Sequence, residues 1–162
     1  MFHARGFTLI EILVVTVIMA VIIGSVSLTL FDSAGEKLEQ ESHRLQAVIA
    51  YAQQDAMLHN RQLGISFDPS GYEFQRLDRD RAWVPYSGDR LLMPHRYADP
   101  VRAEVYLDGI RIALGGSRAD QPQVFILSSG EMQPFTVEFF TDDRRVSLSG
   151  DALGHLSLTR EP

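Results

Sequence analysis

The chain has 162 residues, a formal net charge of −6 and no cysteine. These counts exclude a disulfide scaffold, a thiolate zinc site and a cysteine nucleophile. They also argue against a general nucleic-acid binder. Phosphate affinity needs clustered Lys and Arg, and Lys37 is the only lysine.

The chain starts with a short basic leader containing His3 and Arg5, followed by Gly6-Phe7-Thr8-Leu9-Ile10-Glu11 and a long apolar run. From Phe7 to Leu30 the only charged side chain is Glu11, and no proline interrupts the run. As a helix at ~1.5 Å per residue, 7–30 would extend about 36 Å, against roughly 30 Å for a bilayer core. The run exceeds the ~7–15 residues of a signal-peptide core, and Gly24-Ser25 is a weak cleavage site, so the segment is expected to stay on the chain. The basic leader places the N-terminus in the cytoplasm and the residues after Asp32 across the membrane. Glu11 stands out, because a carboxylate at a helix centre costs about 2.5–3.5 kcal/mol on insertion scales. Nearer the end it costs less, and snorkelling to the headgroups competes with a specific role.

The glycine, aromatic and acid at this spacing resemble the type III signal of type IV pilins and of the pseudopilins of type II secretion. The resemblance implies that a prepilin peptidase cuts between Gly6 and Phe7, removing 1–6, and that the new amine of Phe7 is methylated. The helix at 7–31 would then remain as a transmembrane anchor and later as filament core. It also implies that Glu11 meets the Phe7 amine of a neighbouring subunit, each neutralising the other, so that the pair sets subunit register. Many pilins carry a proline two-thirds along this helix; here 24–30 hold none, so any local melting would rest on Gly24, Ser25 and Ser27.

Asp32-Ser33-Ala34-Gly35 is a weak polar break, after which the helical period resumes to Asn60. Leu38, Leu45, Val48, Ile49, Ala52 and Ala56 share one face, while Glu39, Gln40, Glu41, Arg44, Gln53 and Gln54 lie mainly off it. One long helix is expected, its second half (32–62) amphipathic and ending near Asn60-Arg61-Gln62.

The remainder, 63–162, reads as an antiparallel β domain. Leu63, Ile65 and Phe67 alternate, Asp68-Pro69-Ser70-Gly71 turns, and Tyr72 and Phe74 alternate again. The stretch 77–101 has three prolines, Asp78-Arg79-Asp80-Arg81 and no sustained alternation, and predicts a long loop or a poorly ordered excursion that could serve as a contact surface. Val105–Leu107 and Ile110–Ile112 flank Asp108-Gly109, a two-residue turn signal. Val124–Leu127, Phe135–Phe139, Val146–Leu148 and Leu156–Leu158 complete seven or eight strands. The plan is α+β, one long helix with an antiparallel sheet domain.

The segment from Val124 through Ser128-Ser129-Gly130 to Phe135, and the closing pair around Gly150 to Gly154, resemble the end of H-type minor pseudopilins (the GspH family). Glu11 and the chain length also fit that type better than the K-type. This second resemblance implies a structural subunit at or near the tip of a pseudopilus that exports folded proteins across the outer membrane. Its implied partners are the other minor pseudopilins, the major pseudopilin, the prepilin peptidase and the inner-membrane assembly platform. The competing reading is a minor pilin of a type IV pilus or DNA-uptake machine. That reading wants a basic patch, yet Arg144, Arg145 and Arg160 are offset by Asp142, Asp143, Asp151 and Glu161. No enzymatic motif is present. Ser128-Ser129-Gly130 reads as a turn, and the acid pairs Asp78/Asp80 and Asp142/Asp143 read as solvated rather than as calcium ligands. No cofactor, metal or nucleic acid is expected.

Overall fold

The computed structural model describes residues 9–114 and 121–161, with backbone alone for 23–33 and 161. Helix α1 runs Leu9–Leu58. Met1–Ser33 and Ala34–Pro162 form separate compact units.

In the first unit the described side chains, Leu9 to Ile22, are apolar on every side of the helix apart from Glu11 and Thr16, and all are exposed. The Thr16 hydroxyl donates to the Leu13 carbonyl at 2.8 Å, so it adds no unmet polar group. A helix apolar all round has no face suited to water. Among the described residues no helix is long and apolar enough to cross a membrane. The expected span 7–31 lies partly outside the described side chains, which stop at Ile22 before 23–33.

In the second unit the expected helix face is the core face. Leu38, Leu45, Val48, Ile49, Ala52 and Ala56 are all buried. The helix stops where Asn60 turns left-handed, at φ 47. The Arg61 N–H then reaches the Ala56 carbonyl at 3.0 Å and the Asn60 N–H reaches Met57 at 3.4 Å, a Schellman closure that satisfies last-turn carbonyls.

Among the described residues ten strands follow: β1 Leu63–Asp68, β2 Gly71–Leu77, β3 Trp83–Pro85, β4 His95–Arg96, β5 Arg102–Leu107, β6 Ile110–Arg111, β7 Val124–Ile126, β8 Phe135–Phe140, β9 Arg145–Gly150 and β10 Leu156–Glu161. They make two five-stranded sheets, β3-β2-β1-β7 with β4 also on β2, and β10-β9-β8-β5-β6. The pairings are antiparallel. Residues such as Ile65, Phe74, Val105, Val137, Phe139 and Leu148 join the helix face in one buried cluster. The architecture is α+β. At the β5–β6 hairpin Asp108 and Gly109 take φ 51 and 75, with Leu107 opposite Ile110. Both central residues thus adopt the left-handed values that a primed two-residue turn requires.

The structure differs from the sequence expectation at 77–101. This stretch is not a plain loop: it holds β3, a short 3-10 turn at Arg90–Leu92, and β4. Tyr86, Leu92, Tyr97 and Val101 from it are buried. These two strands account for the excess over the seven or eight expected. At three and two residues they are too short to show a period.

Candidate functional site

Gly6 and Phe7, the expected cleavage and methylation positions, lie outside the described residues. Glu11 lies in the first turn of α1 as described, with an exposed side chain.

In the folded domain, polar side chains along one flank of the helix hold the 77–101 excursion at four levels. Lys37 Nζ donates to the Asp99 carbonyl at 2.9 Å. Glu41 accepts the Ala98 N–H at 3.0 Å and sits 2.7 Å from His95 Nε2. The Tyr51 hydroxyl donates to Asp89 at 2.5 Å. Asp55 accepts from the Tyr86 hydroxyl at 3.2 Å, with His59 Nδ1 at 2.9 Å and Arg61 Nε at 3.6 Å. The Arg61 guanidinium also lies over the Tyr86 ring, 5.6 Å from its centre.

Glu41 corrects the sequence reading. It was expected off the apolar face and is only 6% exposed. A carboxylate is tolerable there because both oxygens have donors. Asp55, equally buried at 6%, was missed for the same reason. Both stand three residues beyond a core position, Leu38 and Ala52, at the margin of the apolar stripe, and that spacing is the sequence signal for them. At Asp89 the Leu91 N–H, then the Tyr51 hydroxyl, holds the carboxyl below its ordinary value, while the Asp89 hydrogen bond raises the Tyr51 phenol.

The opposite flank binds the C-terminal strands. Arg160 on β10 reaches Glu39 with two bonds, 2.6 and 3.1 Å. That hydrogen bond lowers the Glu39 carboxyl from its ordinary value. The Gln53 amide donates to the carbonyls of Gly130 and Gly154 at 3.2 and 3.1 Å, tying two turns to the helix. Two of the residues considered for other chemistry, Asp78 and Ser129, have local tasks. Asp78 Oδ1 accepts the N–H groups of Asp80 and Ala82 at 2.9 and 2.8 Å, closing a turn. Ser129 Oγ donates to Glu131 at 3.2 Å next to Gly130, which takes φ 89, so Ser128-Ser129-Gly130 is a turn.

A long helix, apolar in its first part apart from Glu11 and Thr16 and clasped by an antiparallel domain along its second, is the plan of a pilin-like subunit. Residues 41–154 match the family described as Type II transport protein GspH, and residues 1–27 match the prokaryotic N-terminal methylation motif. The chain belongs to the GspH family, as the motifs near its two ends implied. It is 38% identical over 161 residues to the type II secretion system protein H of Pseudomonas aeruginosa, covering 91% of each chain. It is 27% identical to the protein of that name from Aeromonas hydrophila, covering 96% of this chain and 93% of the relative. The minor pseudopilin EpsH of Vibrio cholerae superposes with a TM-score of 0.66 at 20% identity, over 75% of this chain and 94% of that one. The solution structure of Escherichia coli GspH gives 0.63 at 19% identity, over 78% and 90%. These two likenesses concern the fold.

Proposed function

We propose that the chain is a minor pseudopilin of the type II secretion system, assembling at or near the tip of a pseudopilus that drives folded proteins through the outer membrane. The observation that carries this is the pairing of the methylation motif over 1–27 with the GspH match over 41–154 in one chain. The role is structural. The mature subunit is a single-pass protein of the inner membrane, its N-terminus cytoplasmic and its domain periplasmic. A helix apolar on every side apart from Glu11 and Thr16 supports this, because lipid or neighbouring helices can cover it.

A prepilin peptidase cuts between Gly6 and Phe7, where glycine lets a protease approach the backbone. Methylation of Phe7 follows. Glu11 then meets the Phe7 amine of a neighbouring subunit in a water-poor setting, where either charge alone is costly and the pair fixes register. The other minor pseudopilins, the major pseudopilin and the inner-membrane assembly platform are the partners.

Intact-mass measurement of the membrane form tests this reading. The expected product lacks Met1 to Gly6 and carries one methyl group on Phe7. Gly6→Val should accumulate as an unassembled full-length precursor, and normal mature protein from that variant would overturn the assignment.

A further inference from the structure

The turn between β9 and β10 points an apolar side chain away from the core. Leu153 is 72% exposed, and Met57 on the last turn of α1 is 47% exposed. Together with Ala50, Gln54, Gly130 and Glu131 they line one hollow of about 510 Å³. Leu153 is firmly held. Asp151 Oδ1 accepts the N–H groups of Leu153 and His155, both at 2.9 Å, and Oδ2 lies 3.0 Å from His155 Nδ1. Gly154 takes φ 86, a value only glycine adopts freely, and Gln53 fastens its carbonyl to the helix. An exposed apolar side chain on a fixed turn loses little entropy when a partner covers it, and such side chains anchor interfaces.

Charge selects the occupant. The hollow is lined by Glu131, with Asp151 exposed beside Leu153, and no Lys or Arg is among its described lining residues. The chain as a whole carries −6. A second copy meeting the hollow with this same face would set Glu131 against Glu131, and an anionic lipid surface would be repelled in the same way. A protein with an apolar contact rimmed by basic side chains fits.

We infer that Leu153 and Met57 form the docking surface for the globular domain of another pseudopilin, one whose contact is apolar with a basic rim. The inference rests on the assembly reading above and names a place for it on this chain. The test uses the full-length chain in membranes of cells running the secretion system. A photoreactive amino acid replaces Leu153 or, as control, the exposed Leu91, and the captured chain is identified by mass. Capture of another pseudopilin from position 153 is expected, at least tenfold above position 91. Glu131→Lys should lower that capture at least tenfold without changing the melting temperature. Capture of a second copy or of lipid, equal yields from both positions, or indifference to Glu131→Lys would overturn the proposal. Leu153→Arg should accumulate as processed protein yet restore less than a tenth of secretion to a deletion strain. If deletion leaves secretion intact, the functional reading fails. If deletion abolishes secretion and Leu153→Arg restores it fully, this surface alone fails.

Discussion

Glu41 offers the sharpest test of how the domain is held. Glu41→Ala removes a buried acceptor from the Ala98 N–H and from His95, at 3.0 and 2.7 Å. Hydrogen bonds to charged groups contribute about 1.5–3 kcal/mol each, and a buried N–H left without a partner costs about 1–3 kcal/mol. Releasing the carboxylate from burial offsets part of this, so a loss of about 3 kcal/mol is expected. Over Ala34–Pro162, at ~2.1 cal/mol/K per residue, the unfolding entropy is about 0.27 kcal/mol/K, and the melting temperature should fall by ~11 °C. The assay is thermal and urea unfolding of a fragment beginning at Ala34, followed by circular dichroism at fixed pH. His95→Ala and the double variant complete a cycle, and groups in contact should couple by about 1–2 kcal/mol. A coupling under ~0.5 kcal/mol, or a Glu41→Ala loss under ~1 kcal/mol, would refute the idea that this pair pins the excursion to the helix.

Other outcomes are expected on the same physical grounds. The Ala34 fragment should itself fold, and Ile49→Asp, which buries an unpaired charge, should leave it without a cooperative melt; a wild-type melt would show that this face is not the core face. A Cβ at Gly71 would overlap the His95 carbonyl oxygen where β2 meets β4, so Gly71→Ala should cost about 1–3 kcal/mol in urea unfolding, and an unchanged midpoint would count against the observed pairing. The His155 N–H, then the His155 ring, holds the Asp151 carboxyl below its ordinary value. The stability from this bond is therefore present above the ordinary aspartate value near pH 4 and is lost as pH falls through the lowered one; an NMR titration of Asp151 at or above the ordinary value would contradict it. Glu11→Gln keeps shape and removes charge, so the protein should be processed and inserted yet cross-link poorly to other subunits; wild-type cross-linking would favour simple snorkelling.

What the sequence made legible follows from period. The helix face from Leu38 to Ala56 was readable because one side is buried and the other wet, which imposes 3.6 spacing. The alternation in β8 was readable because its burial alternates residue by residue. The Asp108-Gly109 hairpin was readable from two residues that tolerate positive φ. β3 and β4 were hidden because their path is set by distant polar groups: Tyr51, Asp55 and Glu41 on the helix fix Asp89, Tyr86 and His95. No local pattern encodes such pairings. The candidate site was legible in another way. Gly6, Phe7 and Glu11 carry a motif whose meaning depends on processing and neighbours, so a single folded chain has little to add to it. Leu153 was overlooked because the Gly150 to Gly154 turn was read for its glycines, and a single leucine in a turn carries no pattern of its own.

The helix within the domain has little circumference to spare. Its apolar face is in the core, one flank holds the excursion through Lys37, Glu41, Tyr51 and Asp55, and the other holds strands and turns through Glu39 and Gln53. Exposed positions include a strip through Glu36, Gln40, His43, Ala47, Ala50 and Gln54 to Met57, with Lys37, Arg44 and Leu58 exposed besides. The clasp stabilises the domain on three sides of the helix and leaves alanines in the middle of the fourth. For a subunit the arrangement has a use: two flanks fastened by paired charges and hydrogen bonds fix the domain's setting about the helix axis. A partner seated at Met57 and Leu153 then meets one geometry instead of several, and association does not have to meet the cost of choosing among them.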